Sequence, residues 1–489
     1  MSRDTPKNIG TKFTSRRKFL KGAAGIGLLS ASATNVKAGT SENSNQAKTK
    51  AKNCIFLVVD GMGRGTLSLA NDYALFCTGR PLNWLNLLHN KKVTTALQNT
   101  ASASSLVTDS AAAGSAWATG KRIRNGQINI SMEGESLEPF FLKAKALGKS
   151  IGLVSTARIT HATPASFVAS VANRDDEDTI AQQYLEHEVD LLMGGGARHF
   201  IRPGCSLLED FKQKGYSCFK TKSSMFKNDN ASKILGLFGD THFPYAVDRK
   251  HSKQYFQVPK LEEMFQFSLS HLSRNKSGFC LQLEAARVDH AGHAKDMASI
   301  VEEQLEFDRC IPIAVDFVDK NPDTLLIITT DHGTGGCQLN GIGHRYEGVY
   351  KTMGRINKIK ASYEFLAEKL HQIKKPEKQL FSSLLGIGLN EKDLNVIQSM
   401  MDQTYSIFPF GYREKTGQGY EGYSHDYLAA NLGSYFERYF YEQTGVAWTS
   451  DAHTSELVDL IAYGACSESI PQFIQNYELN GLLRNALKI

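Results

Sequence analysis

Proline is scarce in this chain, 12 among 489 residues, which excludes a collagen-like or Pro-rich low-complexity protein. No Cys-x-x-Cys occurs, so a zinc site built from cysteines is not expected. After Asn53 no stretch resembles the apolar run of ~20 residues that crosses a bilayer. A surplus of one charge is also missing from the body of the chain. The formal charge is +6, yet eight basic residues and a single acid, Asp4, fall within residues 1–38, so that segment is +7 and the remainder is −1. A nearly neutral body offers no electrostatic footprint for a nucleic-acid partner.

What is present is ordinary for a globular enzyme. The 41% of hydrophobic residues and 22% of charged ones are too apolar for disorder and sufficient for a large core. The length allows two to four domains, or one large domain with insertions.

The charged start has the order of a twin-arginine export signal. Thr14-Ser15-Arg16-Arg17-Lys18-Phe19-Leu20-Lys21 precedes a weakly apolar run from Gly22 to Ala33, too short to span a membrane. Val36-Lys37-Ala38 offers short residues for cleavage after Ala38. This predicts a 1–38 signal peptide, a flexible lead-in over 39–52, and a periplasmic or secreted mature protein with no membrane anchor after processing. Export of an already folded chain suits a protein that takes up metals inside the cell. The eight cysteines permit disulfides in such a compartment, and Cys205 with Cys218, bracketing a short loop, is the expected pair. Cys54 and Cys280 lie in apolar runs and read as buried free thiols.

Short apolar runs end in polar clusters. Cys54–Val59 leads to Asp60-Gly61-Met62-Gly63, Val189–Met193 to Gly194-Gly195-Gly196, Phe279–Leu283 to Glu284, and Thr324–Thr330 to Asp331-His332. Lys92–Leu97 and Ser150–Val154 are further strand candidates. Uniformly apolar strands are covered on both faces, as in a mostly parallel sheet. Helical spacing is present over Asp178–Glu188 and Ala294–Asp319. The alternation predicts an α/β fold, a three-layer αβα sandwich with a large, mostly parallel central sheet. Ligands then gather beyond the carboxyl ends of the strands, where these acids and histidines stand. Residues 341–447 differ: rich in Tyr, Lys, Glu and Phe, they read as helices over Ala361–Ile373, Glu391–Met401 and Tyr427–Gln443. They form an inserted region between two parts of one catalytic domain, 53–340 and 448–489.

Each cluster alone has a bland reading. Asp60-Gly-Met-Gly is also a plain turn, and Asp109-Ser110 is also a plain helix cap. A Ser at a helix start nevertheless has its hydroxyl beside free N–H groups and the positive dipole end, a place for phosphate. Asp289 and His293, four apart, can grip one metal from one helical turn.

Taken in order, Asp60-Gly-Met-Gly, Asp109-Ser110-Ala111, His161-Ala-Thr163-Pro164-Ala165, Arg174, Glu284, Asp289-x-x-x-His293, Asp331-His332 and His453-Thr454 resemble the alkaline phosphatase family. The resemblance covers residues 53–340 and 448–465. Region 341–447 matches only in position, where the family carries a variable crown-like insertion. It implies that Asp289, His293 and His453 hold a first Zn2+. Asp60, Asp331 and His332 hold a second, with Ser110 as fourth ligand. Asp60, Thr163, Glu284 and His161 serve a third metal, usually Mg2+. Ser110 is the implied nucleophile and forms a phosphoserine. Arg174 binds the phosphate, and His290 stands where the family often helps to hold it through water. Coordination to zinc would lower the serine pKa. Small phosphate monoesters are the implied substrates and a homodimer the implied assembly. His161 stands where some members have Asp; its nitrogen suits Zn2+ or Co2+ better than Mg2+. A sulfatase is disfavoured because Ser110-Ala-Ala-Ala-Gly114 lacks the Cys/Ser-x-Pro-x-Arg setting. A phosphodiesterase of the same superfamily, or a non-catalytic metal- or phosphate-binding protein, is the alternative.

Overall fold

Strand β1 (Asn53–Val59) is buried at every position, and its side chains alternate between two separate apolar clusters. Ile55, Leu57 and Val59 join one; Cys54, Phe56 and Val58 join the other. A strand has period two, so such a run needs covering layers above and below. A computed structural model describes residues 50–202, 205–227, 232–342, 346, 348–407 and 424–489. The expected signal peptide, its cleavage point and most of the lead-in lie outside them. Among the described residues no helix is long and apolar enough to cross a membrane.

The other strands of the main sheet are β2 (Thr94–Asn99), β3 (Ser150–Arg158), β4 (Leu191–Gly195), β5 (Tyr216–Phe219), β6 (Lys233–Leu237), β7 (Phe279–Ala285), β8 (Thr324–Thr329), β9 (Val458–Gly464) and β10 (Phe473–Gln475). Their order is β10-β2-β9-β8-β1-β7-β3-β4-β6-β5. Among these strands only β9 runs against its neighbours, β8 and β2. The mostly parallel sheet expected from the apolar runs is therefore present. The short β5, β6 and β10 carry no such run, and β9 carries an apolar stretch, Leu460–Tyr463, that leads into Gly464-Ala465 rather than into a polar cluster. Cys54 and Cys280 face each other across β1 and β7 as buried free thiols.

Helices cover both faces. Helices α1 (Arg64–Thr78), α2 (Ser110–Thr119), α3 (Ala162–Ser166), α4 (Glu177–Glu186), α5 (Leu261–Leu272), α6 (Arg287–His293), α7 (Met297–Asp308) and α8 (Cys310–Lys320) precede β8 or connect the strands before it. Residues of α1, α5, α7 and α8 fill the first cluster. Those of α2, α3 and α4 fill the second, with the C-terminal helix Glu478–Leu487. This is a three-layer sandwich. The single helix expected over Ala294–Asp319 is two. Lys295 turns the chain at a φ of +52°, Asp296 caps α7 by accepting from Ser299 N at 3.0 Å, and Pro312, which has no N–H to give, forces a restart near Cys310.

The 341–447 region is helical where described. It contains Val349–Ile356, α9 (Tyr363–Ile373), Lys378–Leu384, α10 (Glu391–Ile407) and α11 (Ser424–Thr444), close to the segments read from sequence. The rings of Tyr363 and Phe436 stack 5.8 Å apart between α9 and α11. One expectation fails. Cys218 is a free thiol, so the Cys205–Cys218 bridge is not formed; helix Leu207–Gln213 intervenes in the chain, and Cys218 packs against the second apolar cluster instead.

Trp117 on α2 is fully buried. Its ring lies 5.3 Å from that of Phe56, and its Nε1–H donates to Gln98 Oε1 on β2 at 2.9 Å. It thus braces the helix that begins with Ser110. Trp117→Ala is expected to cost about 3–5 kcal/mol through the cavity and the orphaned amide, read as a lower urea midpoint; an unchanged midpoint contradicts this role.

Candidate metal and phosphate site

Four neighbouring strands, β8, β1, β7 and β3, deliver the chemistry to one rim. Asp60 follows the last residue of β1, and Glu284 is the penultimate residue of β7. Asp331 and His332 follow β8, while His161 and Thr163 lie where β3 passes into α3. Asp289 and His293 come from α6 directly after β7. His453 is brought in by a two-residue ladder that pairs Gly333–Thr334 with His453–Thr454. The order of strands thus gathers residues almost 400 positions apart.

Three clusters of donor atoms form, within each of which the atoms lie no more than 4.8 Å apart. Asp289, His293 and His453 make the first. His453 Nδ1–H donates to the Thr108 carbonyl at 2.8 Å, and His293 Nδ1–H to the Asp451 carbonyl at 2.5 Å. Both rings are thereby held with Nε2 turned inward, 3.1 Å from each other. Backbone carbonyls commonly orient metal-binding imidazoles in this way. Asp289 Oδ1 lies 3.4 Å and 3.6 Å from the two Nε2 atoms and accepts from Thr334 Oγ1 at 2.5 Å.

Asp60, Asp289 and His332 make the second cluster. Asp331, expected there, stands alongside: its Oδ2 is 3.1 Å from His332 Nε2. Its Oδ1 accepts from the N–H groups of Gly61 and His332. Asp289 therefore sits between the first two clusters. The Ser110 hydroxyl is 3.4 Å from the same His332 Nε2. Asp60, His161 and Glu284 make the third cluster. Thr163 Oγ1 approaches Asp60 Oδ2 at 3.4 Å, and Ser155 Oγ donates to Glu284 Oε2 at 2.6 Å.

Electrostatics favour cations here. Asp60, Glu284 and Asp331 are wholly buried and Asp289 nearly so. Burial, Asp331, Asp289 and Glu284 push the Asp60 carboxyl well up, and burial with Asp331 raises Glu284 to about 7. Asp289 stays well below the ordinary value because His293 and His453 outweigh its burial. Its charge in turn holds His293 up at about 9, whereas burial and His332 bring His453 down to about 4. Buried Asp60 Oδ1, Glu284 Oε1, Asp331 Oδ2 and His161 Nδ1 have no hydrogen-bond partner among the described residues. Crowded, desolvated carboxylates with unfilled lone pairs fit metal ions, and the His/Asp set suits zinc.

The residues expected to bind phosphate adjoin them. Asp109 is the N-cap of α2, accepting from Ala112 N at 2.9 Å, so Ser110 is the first helical residue and the helix-cap reading falls on its neighbour. The other oxygen of Asp109 accepts from Arg174 Nη1 at 3.0 Å. Against its burial, Asp109 holds the Arg174 guanidinium above its ordinary pKa. Arg174 Nη2 meets His161 Nε2 at 3.1 Å. The ring of His290 is 5.6 Å from that of His161. The expected ligand and phosphate residues thus lie close together on this rim, seven of them within the three donor clusters. The sequence reading missed His242, whose ring is 4.4 Å from that of His290, together with Arg158, which contacts His242 Nε2 at 2.6 Å. His242 follows β6 by a few residues, and the position beyond a strand end would have marked it had β6 been recognised.

Gly61 shows how little room the turn after β1 leaves. Its φ is +74°, and a Cβ there would come within 2.5 Å of the Asp289 backbone. Gly61→Ala is expected to destabilise the fold by more than about 1 kcal/mol and to lower bound metal, read by thermal melting and elemental analysis. Retention of both the melting point and the metal content contradicts this.

Comparison with known proteins agrees with the geometry. The sequence model of the family described as alkaline phosphatase matches residues 51–489. The chain is 30% identical to Alkaline phosphatase 3 of Bacillus subtilis, over 95% of this chain and 96% of that one. The crystal structure of Thermus thermophilus alkaline phosphatase superposes with a TM-score of 0.78 at 32% identity, covering 93% of this chain and 96% of that one. A cold-active alkaline phosphatase from the psychrophile Shewanella sp. gives a TM-score of 0.71 at 26% identity, over 89% and 99%. The chain belongs to the alkaline phosphatase family and is a metal-binding phosphomonoesterase.

Proposed function

We propose that this enzyme hydrolyses small phosphate monoesters through a phosphoserine at Ser110, with two Zn2+ and a third metal, and that it works after twin-arginine export as a periplasmic or secreted protein. The observation that carries the reading is the position of Ser110. It is the first residue of α2, its hydroxyl is 3.4 Å from His332 Nε2, and Arg174, tethered through Asp109, stands beside it.

Asp289, His293 and His453 would hold the first zinc. Asp60, Asp331, His332 and Ser110 would hold the second, with Asp289 close enough to share. Asp60, His161, Thr163 and Glu284 would hold the third ion. Bound metals supply Lewis acidity, which lowers the hydroxyl pKa and neutralises the departing oxygen. The chain does the rest. Ser110 Oγ forms the new P–O bond as the ester P–O bond breaks and the alcohol leaves. Water then cleaves the phosphoserine and releases inorganic phosphate. Asp109 holds Arg174 by Nη1 and His161 Nε2 meets Nη2, so the guanidinium is fixed in place, and its planar, always-charged fork suits the non-bridging oxygens. The N-terminus of α2 adds N–H groups and dipole to the same charge. The arginine and the third cluster suit a monoester, which carries more anionic oxygen than a diester. A homodimer is part of the same proposal; a nucleic-acid partner is not.

Ser110→Ala is expected to lower turnover of a nitrophenyl monoester at least ~10^3-fold, with the nitrophenyl diester a far poorer substrate of the wild type. Chelation should abolish activity, and Zn2+ with Mg2+ should restore it. Retained turnover in the alanine variant, or a preference for the diester, overturns the reading. His161→Asp is expected to tighten Mg2+ at the third site relative to Zn2+ or Co2+, measured by metal analysis after competitive loading; an unchanged ratio removes the assigned role of His161.

A further inference from the structure

Arg287 and Glu364 have no role in the proposed hydrolysis. Arg287 opens α6, the helix that carries Asp289, His290 and His293, and its side chain is only 3% exposed. Its guanidinium is held among His290, Glu364 and Tyr245. Nη1 lies 2.6 Å from His290 Nδ1, Nη2 donates to Glu364 Oε2 at 2.5 Å, and the guanidinium carbon sits 3.9 Å from the centre of the Tyr245 ring. Glu364 belongs to the first turn of α9. That end of α9 is tied to the body of the protein. Asp248 accepts from Ser362 N at 2.7 Å and from Ser362 Oγ at 2.6 Å, and Asp296 accepts from Tyr363 N at 2.8 Å. A line of contacts therefore runs from the 341–447 region to His290, an imidazole whose ring lies 5.6 Å from that of His161.

A guanidinium has donors only, so in the Arg287–His290 contact Nδ1 must be the acceptor. A ring that accepts at Nδ1 carries its proton on Nε2. The other tautomer would present a lone pair from Nε2, and a phosphate oxygen would be repelled by it. We propose that Arg287 is a positioning residue that locks His290 as the Nε2–H tautomer, a neutral donor toward the phosphate, and that Glu364 of the inserted region keeps Arg287 in place. This rests on the reading of His290 as a phosphate-facing residue. It gives the inserted helices a defined effect on the centre: they set the orientation of one hydrogen-bond donor.

The test uses the metal-loaded, full-length enzyme labelled with 15N-histidine, with the His290 signals assigned by their loss in His290→Ala. The wild type is expected to show a protonated Nε2 and a bare Nδ1, and Arg287→Met a mixture of tautomers. With inorganic phosphate as probe, Arg287→Met should raise the dissociation constant about tenfold, the scale of one hydrogen bond to a charged group. Glu364→Gln should raise it less, and Arg287→Lys, which keeps a cation and a donor beside Glu364, should recover part of the loss even if the methionine variant folds poorly. In a His290→Ala background the Arg287 substitution should add less than about twofold, since the two act as one unit. A protonated Nδ1 on His290 in the wild type overturns the proposal. So does an equal loss of phosphate affinity with and without His290. Failure to hydrolyse monoesters would instead remove the proposed function while leaving the tautomer, read without turnover, to stand.

Discussion

Four carboxylates, from Asp60, Glu284, Asp289 and Asp331, are packed with little or no solvent at one edge of a parallel sheet, and the molecule is organised around the cost of that crowding. Like charges in a low-dielectric setting repel strongly and lose their hydration. The protein alone meets this only in part. His293 and His453 hold Asp289 ionised, while Asp60 is driven toward its protonated form. The remaining demand falls on cations. The carboxylate oxygens left without hydrogen-bond partners would then be coordination positions, and an anionic substrate would gain a place to bind that the carboxylates by themselves would repel.

The surrounding fold serves this arrangement by holding donors at fixed angles. Carbonyls of Thr108 and Asp451 turn two imidazoles inward. Asp109 divides its two oxygens between the start of α2 and Arg174, so the proposed nucleophile and the proposed anion clamp share one anchor. Tight backbone contacts limit drift, as at Gly61, which has no space for a side chain. Such preorganisation lowers the cost of stabilising charge that develops during reaction.

Much of this is legible in the order of the residues. The apolar runs at Cys54–Val59, Phe279–Leu283 and Thr324–Thr330 each form a buried strand, because a strand covered on both faces is mostly apolar, with Gln282 a buried polar exception. Acids and histidines at the ends of those runs form the rim, since parallel strands carry their carboxyl ends to one side. The helical character of 341–447 is likewise visible from composition and spacing. The short strands β5, β6 and β10 are not, because three to five residues carry too little pattern of their own. Nor is the break in the Ala294–Asp319 helix, where one left-handed residue and one proline outweigh an apolar periodicity that continues across both. The expected Cys205–Cys218 bridge fails for a related reason: closeness in sequence does not ensure that two cysteines meet when a helix lies between them.

The sequence by itself determined the kinds of donor available and the strand ends from which they project, since apolar periodicity and residue chemistry are local properties of the chain. The tertiary structure alone decided which donors meet. It set Asp289 between two clusters, brought His453 against residues more than a hundred positions earlier through a two-residue ladder, and placed Arg287 and His242 beside His290. Those meetings depend on strand order and on the packing of helices across the sheet, which no local run of residues encodes.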